Sequence, residues 1–173
     1  MDSASLPAKT GGDAVGENPT DRGTTPAGYP GTKRQLVVGR GGVPLAAGLT
    51  GANRPDSTDF AALLGAVEPV KRSRGRPRRR PATLHADKGY DVRHCRASLR
   101  RREIADRIAR KGVEDKTRLG RHRWVVERTL AWLTRYRRLA IRYERRADIH
   151  QALLDLACAH ICLNFLRRPD GFC

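Results

Sequence analysis

Three carboxylates, Asp2, Asp87 and Glu127, have the clearest chemical reach in this basic chain. Asp87 closes a short apolar run in His85-Ala86-Asp87-Lys88-Gly89-Tyr90, and Glu127 sits in the helical run Arg123-Trp124-Val125-Val126-Glu127-Arg128. An acid at a strand end and an acid on a later helix can meet around divalent cations, with Asp2 supplying a third carboxylate. Such a set suits two-metal phosphoryl chemistry, in which one ion activates the nucleophile and the other steadies the leaving oxygen. Mg²⁺ takes hard oxygen ligands and needs only two or three Asp or Glu side chains. A plainer reading makes Asp87 the cap of its own turn and pairs Glu127 with Arg123 or a neighbouring Arg. Spacing alone leaves both readings open.

Charge names the kind of partner. The chain holds 35 Lys and Arg against 18 Asp and Glu, a formal net charge of +17 over 173 residues. Residues 1–70 carry six basic and seven acidic side chains, whereas residues 71–173 carry 29 and 11. Halves so unequal point to a polyanion, because each cation placed on a phosphate releases condensed counterions. Residues 71–80 include seven Lys or Arg, and Pro77 and Pro81 exclude regular structure through this loop. Within it, Arg74-Gly75-Arg76-Pro77 has the form of a minor-groove hook. The same loop also reads as a solvated segment touching phosphates without sequence preference. Arg100 to Arg102, Arg135, Arg137, Arg138, Arg142, Arg145 and Arg146 are expected to hold a DNA backbone, which positions a duplex without reading it. Trp124 and Trp132 suit either a flipped base or the core.

The elements that must position these groups follow from periodicity. Residues 3–32, rich in Gly, Pro, Thr and Ala, read alone as a leader without structure. Two β-prone runs, 33–38 and 43–49, flank a Gly-Gly turn and read as a hairpin. Asp56 or Ser57 is placed to cap a helix with Phe60, Leu63, Leu64 and Val67 on one face, ended by Pro69. A strand over 83–86 delivers Asp87. A helix over 91–101 buries Val92, Cys95 and Leu99, and residues 104–108 alternate as a strand. The spacing predicts one helix over 119–139, with Trp124, Val126, Leu130, Leu133 and Tyr136 on its apolar side, and a last helix from a capping box at Asp148 and Gln151 to about Arg167. The order predicts an α/β sheet covered by helices.

The four cysteines, Cys95, Cys158, Cys162 and Cys173, form no CxxC pair and have no zinc-finger His partners, so buried free thiols are expected. No secretory signal opens the sequence. Asp155, His160 and Asn164 interrupt the apolar C-terminal stretch, which is not expected to span a membrane. A cytoplasmic, nucleoid-associated protein is expected.

Four motifs carry a resemblance. They are Leu84-His85-Ala86-Asp87-Lys88-Gly89-Tyr90-Asp91 followed by Arg107-Ile108-Ala109-Arg110-Lys111-Gly112; Leu119-Gly120-Arg121-His122-Arg123-Trp124-Val125-Val126-Glu127-Arg128-Thr129; Arg142-Tyr143-Glu144-Arg145-Arg146-Ala147-Asp148-Ile149-His150; and Leu156-Ala157-Cys158. Together they resemble the DDE transposases of the bacterial insertion sequence four/five superfamily over nearly the whole chain. The resemblance implies a ribonuclease H-like mixed sheet flanked by helices. It also implies an Asp, Asp, Glu triad of Asp2, Asp87 and Glu127 holding two Mg²⁺, with Mn²⁺ as the alternative ion. The implied activity is cleavage of element ends by water and joining of the 3′-hydroxyl to target DNA, by a homo-oligomer on double-stranded DNA.

Arg123 fits the family's Arg-x-x-x-Glu element, whose Tyr position is Gly120 here and whose Lys position is Thr134, with Arg135 as substitute. The expected DNA contacts are Arg74, Arg76, Arg78, Arg79, Arg80, Lys88, Arg123, Arg128, Arg135 and Arg138. Residues 24–29 look like an insertion, and Gly39 stands where many relatives carry Asp. Only Met1 precedes Asp2, so the first strand is expected to be truncated, and the usual amino-terminal helical domain has no counterpart. The expected layout is a leader loop carrying the first Asp (1–32), a catalytic domain (33–168, basic loop 71–81) and a tail (169–173). An upstream-frame N-terminal half is a candidate partner. The alternatives are a truncated, inactive DNA-binding remnant or regulator of transposition, and an unrelated basic nucleoid protein.

Overall fold

The computed structural model describes residues 1–20, 25–70, 75–78, 80–112 and 120–167, without the side chains of 120–123. In chain order the elements are β1 (Asp2–Pro7), β2 (Gly16–Glu17), β3 (Pro30–Val38), β4 (Pro44–Gly51), α1 (Phe60–Gly65), β5 (Thr83–Ala86), a 3₁₀ turn (Lys88–Tyr90), α2 (Arg93–Arg101), β6 (Ala105–Ile108), α3 (Gly120–Thr134), α4 (Arg137–Ala140) and α5 (Ala147–Leu166). The mixed α/β class and the hairpin β3–β4 agree with the sequence reading.

Strand β3 organises the larger sheet. It pairs antiparallel with β1, from Asp2↔Leu36 to Pro7↔Gly31, and with β4 on its other edge. Strands β5 and β6 form a separate parallel pair, from Thr83↔Ala105 to Ala86↔Ile108. Parallel neighbours need a crossover, and α2 supplies it. Successive residues of a strand face opposite ways, and β3 uses this to serve two cores. Val37 joins Phe60, Leu63, Leu84, Leu99 and Ile108 on one side; Leu36 joins Val126, Leu130, Leu133, Leu154 and Ile161 on the other. Each such buried side chain contributes about 1.5–3 kcal/mol, so helices are held on both faces.

Several expectations are corrected. The segment read as a leader without structure holds two strands: β1 spans Asp2–Pro7 and β2 spans Gly16–Glu17. The β1 sequence, Asp-Ser-Ala-Ser-Leu-Pro, carries only a short alternation at Ala4 and Leu6, and the main-chain ladder with β3 makes it a strand. The Met1 amino group donates to the His85 carbonyl at 2.8 Å, linking this sheet to β5. The helix expected over 119–139 is broken, because Tyr136 is extended and caps a separate α4. The apolar spacing runs on through the break to the buried Leu139, whose carbonyl accepts from buried Arg34 at 3.1 Å.

The capping box at Asp148 does not form. The helix begins at Ala147, and Asp148 instead binds Arg146 and the Ile149 N–H. Asp59, not Asp56 or Ser57, precedes α1, and it makes no side-chain cap. Asp56 is engaged elsewhere, 2.7 Å from Lys33 Nζ. Trp124 is 50% exposed and lies outside the core.

Cys95, Cys158 and Cys162 are free thiols, while Cys173 lies outside the described residues. Burial pushes Cys95 up to about 11, and burial together with the Asp155 charge pushes Cys158 up to about 12.

Candidate active site

Asp87 is placed by what surrounds it in sequence. Leu84 and Ala86 are buried, so β5 is pinned up to its last residue. Asp87 follows in extended backbone and caps the turn 88–90, its carboxylate accepting the Lys88 N–H. Three residues on, Tyr90 is fully buried and tilts against Phe60 at 5.7 Å between ring centroids. The turn is therefore anchored on both sides of the carboxylate. The capping role weighed for Asp87 is real, and it holds the acid in one orientation.

Asp2 repeats the local pattern, its Oδ1 accepting the Ser3 N–H at 2.9 Å. The Met1–His85 bond brings the two acids to the same end of the fold, one and two residues beyond the bonded pair. A shared neighbour marks their proximity. The Tyr90 phenol is held above its ordinary value by burial, then by the negative charges of Asp56, Asp2, Cys95 and Asp87. Its oxygen is buried without a hydrogen-bond partner among the described residues. Asp56 is the acid that the sequence reading assigned elsewhere. It lies beside Gly89, where an added Cβ would stand 3.3 Å from Asp56 Oδ2. No local signal announces this, since packing brings together residues that are far apart in sequence.

Glu127 lies on the exposed side of α3. Val126, Leu130 and Leu133 bury the opposite side, and Thr129 Oγ1 donates to the Gly42 carbonyl at 2.9 Å. Arg128 Nη2 donates to the Gly41 carbonyl at 2.9 Å, and its guanidinium lies between Trp124 and Trp132, 4.5 and 4.7 Å from the two ring centroids. These contacts fix the rotation of α3, which runs against β1, β3 and β5. Among the described residues, no group of three or more His, Cys, Asp or Glu is gathered closely enough to hold a metal ion. The structure thus brings Asp2, Asp56 and Asp87 around one phenol and leaves Glu127 on the neighbouring helix.

The expected DNA-contacting cations divide. Arg76 and Arg78 are exposed on the basic loop, which Val70 and Arg78 close with a pair of 2.9 Å main-chain bonds. Arg80 is exposed and ion-paired with Glu103. Lys88 is half-buried beside Asp87. Arg128 is committed to its tryptophan sandwich. Arg138 is exposed, 3.3 Å from Glu144. Exposed Arg135 borders a hollow of about 290 Å³ with Trp132, Tyr136, His160 and Phe165. Arg74 and Arg79, and the side chain of Arg123, lie outside the described residues. Arg142 is a correction: it is fully buried and bonded internally, so it has no surface for a phosphate.

Comparison with known proteins identifies the family. Residues 1–162 match the family model described as Transposase DDE domain. A Burkholderia cepacia protein named as a transposase for insertion sequence element IS402 is 50% identical over 156 residues, covering 90% of this chain and 72% of that protein. No solved structure matches the chain. With the family match running from Met1 well into α5, the chain belongs to the DDE transposases of insertion sequences.

Proposed function

We propose that this chain is the catalytic domain of an insertion-element transposase, cleaving DNA and joining a 3′-hydroxyl to a target, with Asp2, Asp87 and Glu127 as its carboxylate triad. The observation that carries the reading is the Met1–His85 bond, which sets Asp2 and Asp87 at the same end of the fold, each with one oxygen held by the next residue's N–H. The donors are hard carboxylate oxygens, which suits Mg²⁺ or Mn²⁺. Such ions would supply Lewis acidity at the attacked phosphate and would lower the pKa of the attacking hydroxyl.

The remaining work falls to the chain itself. Asp2 and Asp87 are preorganised by the strand ends, and Glu127 approaches from α3, whose rotation the Arg128 sandwich sets. The exposed arginines of the basic half hold the duplex by its phosphates. An antiparallel sheet of β4, β3 and β1 with a separate parallel pair, β5 and β6, is compatible with a ribonuclease H-like arrangement.

The test is Mg²⁺-dependent nicking of a DNA carrying the element ends, with filter binding alongside. Asp87→Asn preserves an acceptor for the Lys88 N–H, so it removes the charge and keeps the turn. Asp87→Asn and Glu127→Gln are expected to abolish nicking while leaving DNA binding nearly unchanged. Nicking at the parental rate by either variant refutes the triad. Binding without nicking by the parent chain favours the inactive remnant or regulator.

A further inference from the structure

Helix α5 is apolar on two opposite faces. One face enters the core through His150, Leu154, Ala157 and Ile161. At 100° per residue the other face lies roughly 160° away, and it carries Ile149, Ala152, Leu156, Ala159, Leu163 and Leu166, every one exposed. The four large side chains are 46, 67, 41 and 68% exposed in chain order. Their spacing alternates three and four residues without a break, the pattern of a helix seam that faces another helix. A helix of 20 residues spans about 30 Å. Four large apolar side chains along that length form a patch of the several-hundred-Å² kind that marks an interaction site.

We infer that this face is a self-association surface, on which α5 packs antiparallel against α5 of a second copy of this chain. The sequence of the seam is complementary to its own reverse. An antiparallel twofold between residues 157 and 158 sets Ile149 against the partner copy's residue 166, Ala152 against residue 163 and Leu156 against residue 159. Both inner layers then combine one leucine with one alanine, so the helices keep an even separation and the layers fill. A parallel pair would instead stack alanine on alanine in two layers and leucine on leucine between them, leaving voids.

The charges agree with the antiparallel order. Asp148, exposed in the first turn and bridged to Arg146, comes to lie near the partner copy's exposed residue 167, an arginine at the helix C-cap. The two helix dipoles also oppose. Half-buried Leu153 and exposed His160 and Arg167 form the shoulders. They extend the contact toward the ~800 Å² per partner of a standard interface.

A bilayer is the competing occupant, since α5 is long and apolar enough by length and composition to cross one. Crossing would withdraw His150, Leu154, Ala157 and Ile161 from the core, and it would place Asp155, His160 and Asn164 in hydrocarbon. The inference does not depend on the catalytic reading.

Analytical ultracentrifugation of the full chain without DNA, over a range of concentrations and in high salt, tests it. A reversible dimer is expected. Leu156→Lys, at an exposed position, should weaken the dimer about tenfold or more with an unchanged melting curve. Ala159→Leu overfills the layer against the partner's leucine and should also weaken it. A parent chain that stays monomeric, or a dimer indifferent to both substitutions, overturns the proposal. So does tightening by Ala159→Leu, which a parallel pair would show. A monomer that floats with phosphatidylglycerol vesicles through this face would assign the surface to lipid and likewise refute it.

Discussion

Arg142 donates from Nε to the Glu144 carbonyl at 2.7 Å, from Nη1 to Thr32 Oγ1 at 2.7 Å and from Nη2 to the Arg145 carbonyl at 3.0 Å, with no exposed surface. Burial holds its pKa below the ordinary arginine value, although Glu144 and Asp13 act in the opposite direction. It ties the segment before α5 to β3, far from any phosphate. Arg142→Met retains much of the volume but removes a donor from the Glu144 carbonyl, while the Thr32 hydroxyl keeps its bond to the Ala14 carbonyl and the Arg145 carbonyl keeps the Asp13 N–H. The expected cost is about 1–3 kcal/mol, as for leaving a buried acceptor unsatisfied, out of a total that for most domains is about 5–15 kcal/mol. Urea denaturation should show the loss as a lower midpoint, while the folded fraction binds DNA as the parent does. Weaker DNA binding at an unchanged midpoint would return Arg142 to the surface role its charge first suggests.

Helix α3 and the turn at 39–42 form a joint that couples the hairpin to Glu127. Gly42 has φ +93°, and a Cβ there would stand 2.9 Å from Arg128 Nη2 and 3.2 Å from Thr129 Oγ1. Gly42→Ala therefore combines a left-handed strain of about 1–2 kcal/mol with pressure on both side chains that dock the helix. The expected result is a stability loss of about that size, with a change in the fluorescence of Trp124 and Trp132, which flank Arg128. Parental stability and fluorescence together would mean that the joint is not rigid.

Elements were legible where they carry their own alternation or period. Residues 83–86, 104–108 and the hairpin were read nearly to the residue, and Asp87 was located with its strand. By contrast, β1 is made by its partner strand, and its six residues hold little of its own pattern. The break between α3 and α4 is hidden because apolar residues recur every three positions, at Leu133, Tyr136 and Leu139, across the extended Tyr136. Asp56 reaches the site from a loop that sequence reasoning used as a helix cap. The second face of α5 was written in the sequence, but only the burial of the first showed that it lacks a partner within the described residues.

At the scale of the whole molecule, the +17 charge overstates what DNA can meet. Arg34 and Arg142 are buried, Arg96 is held by Asp91 and Asp106, Arg146 pairs with Asp148, and Arg128 lies between two tryptophans. Exposed cations remain at Arg76, Arg78, Arg100, Arg101, Arg135 and Arg137, among others. Six to ten phosphate contacts are therefore within reach, which gives a slope of log K against log salt of roughly −5 to −9. A titration without Mg²⁺ should show that slope for the parent and nearly the same for Asp87→Asn, because the substitution removes no cation. Replacing Arg76 and Arg78 by Ala should reduce its magnitude by about one per residue if they touch phosphates, with the same loss on every DNA sequence. A loss confined to A·T-rich duplexes would instead assign the loop to the minor groove. A slope shallower than about −2 would correspond to two phosphates or so, too few for the basic half to be the DNA-binding surface.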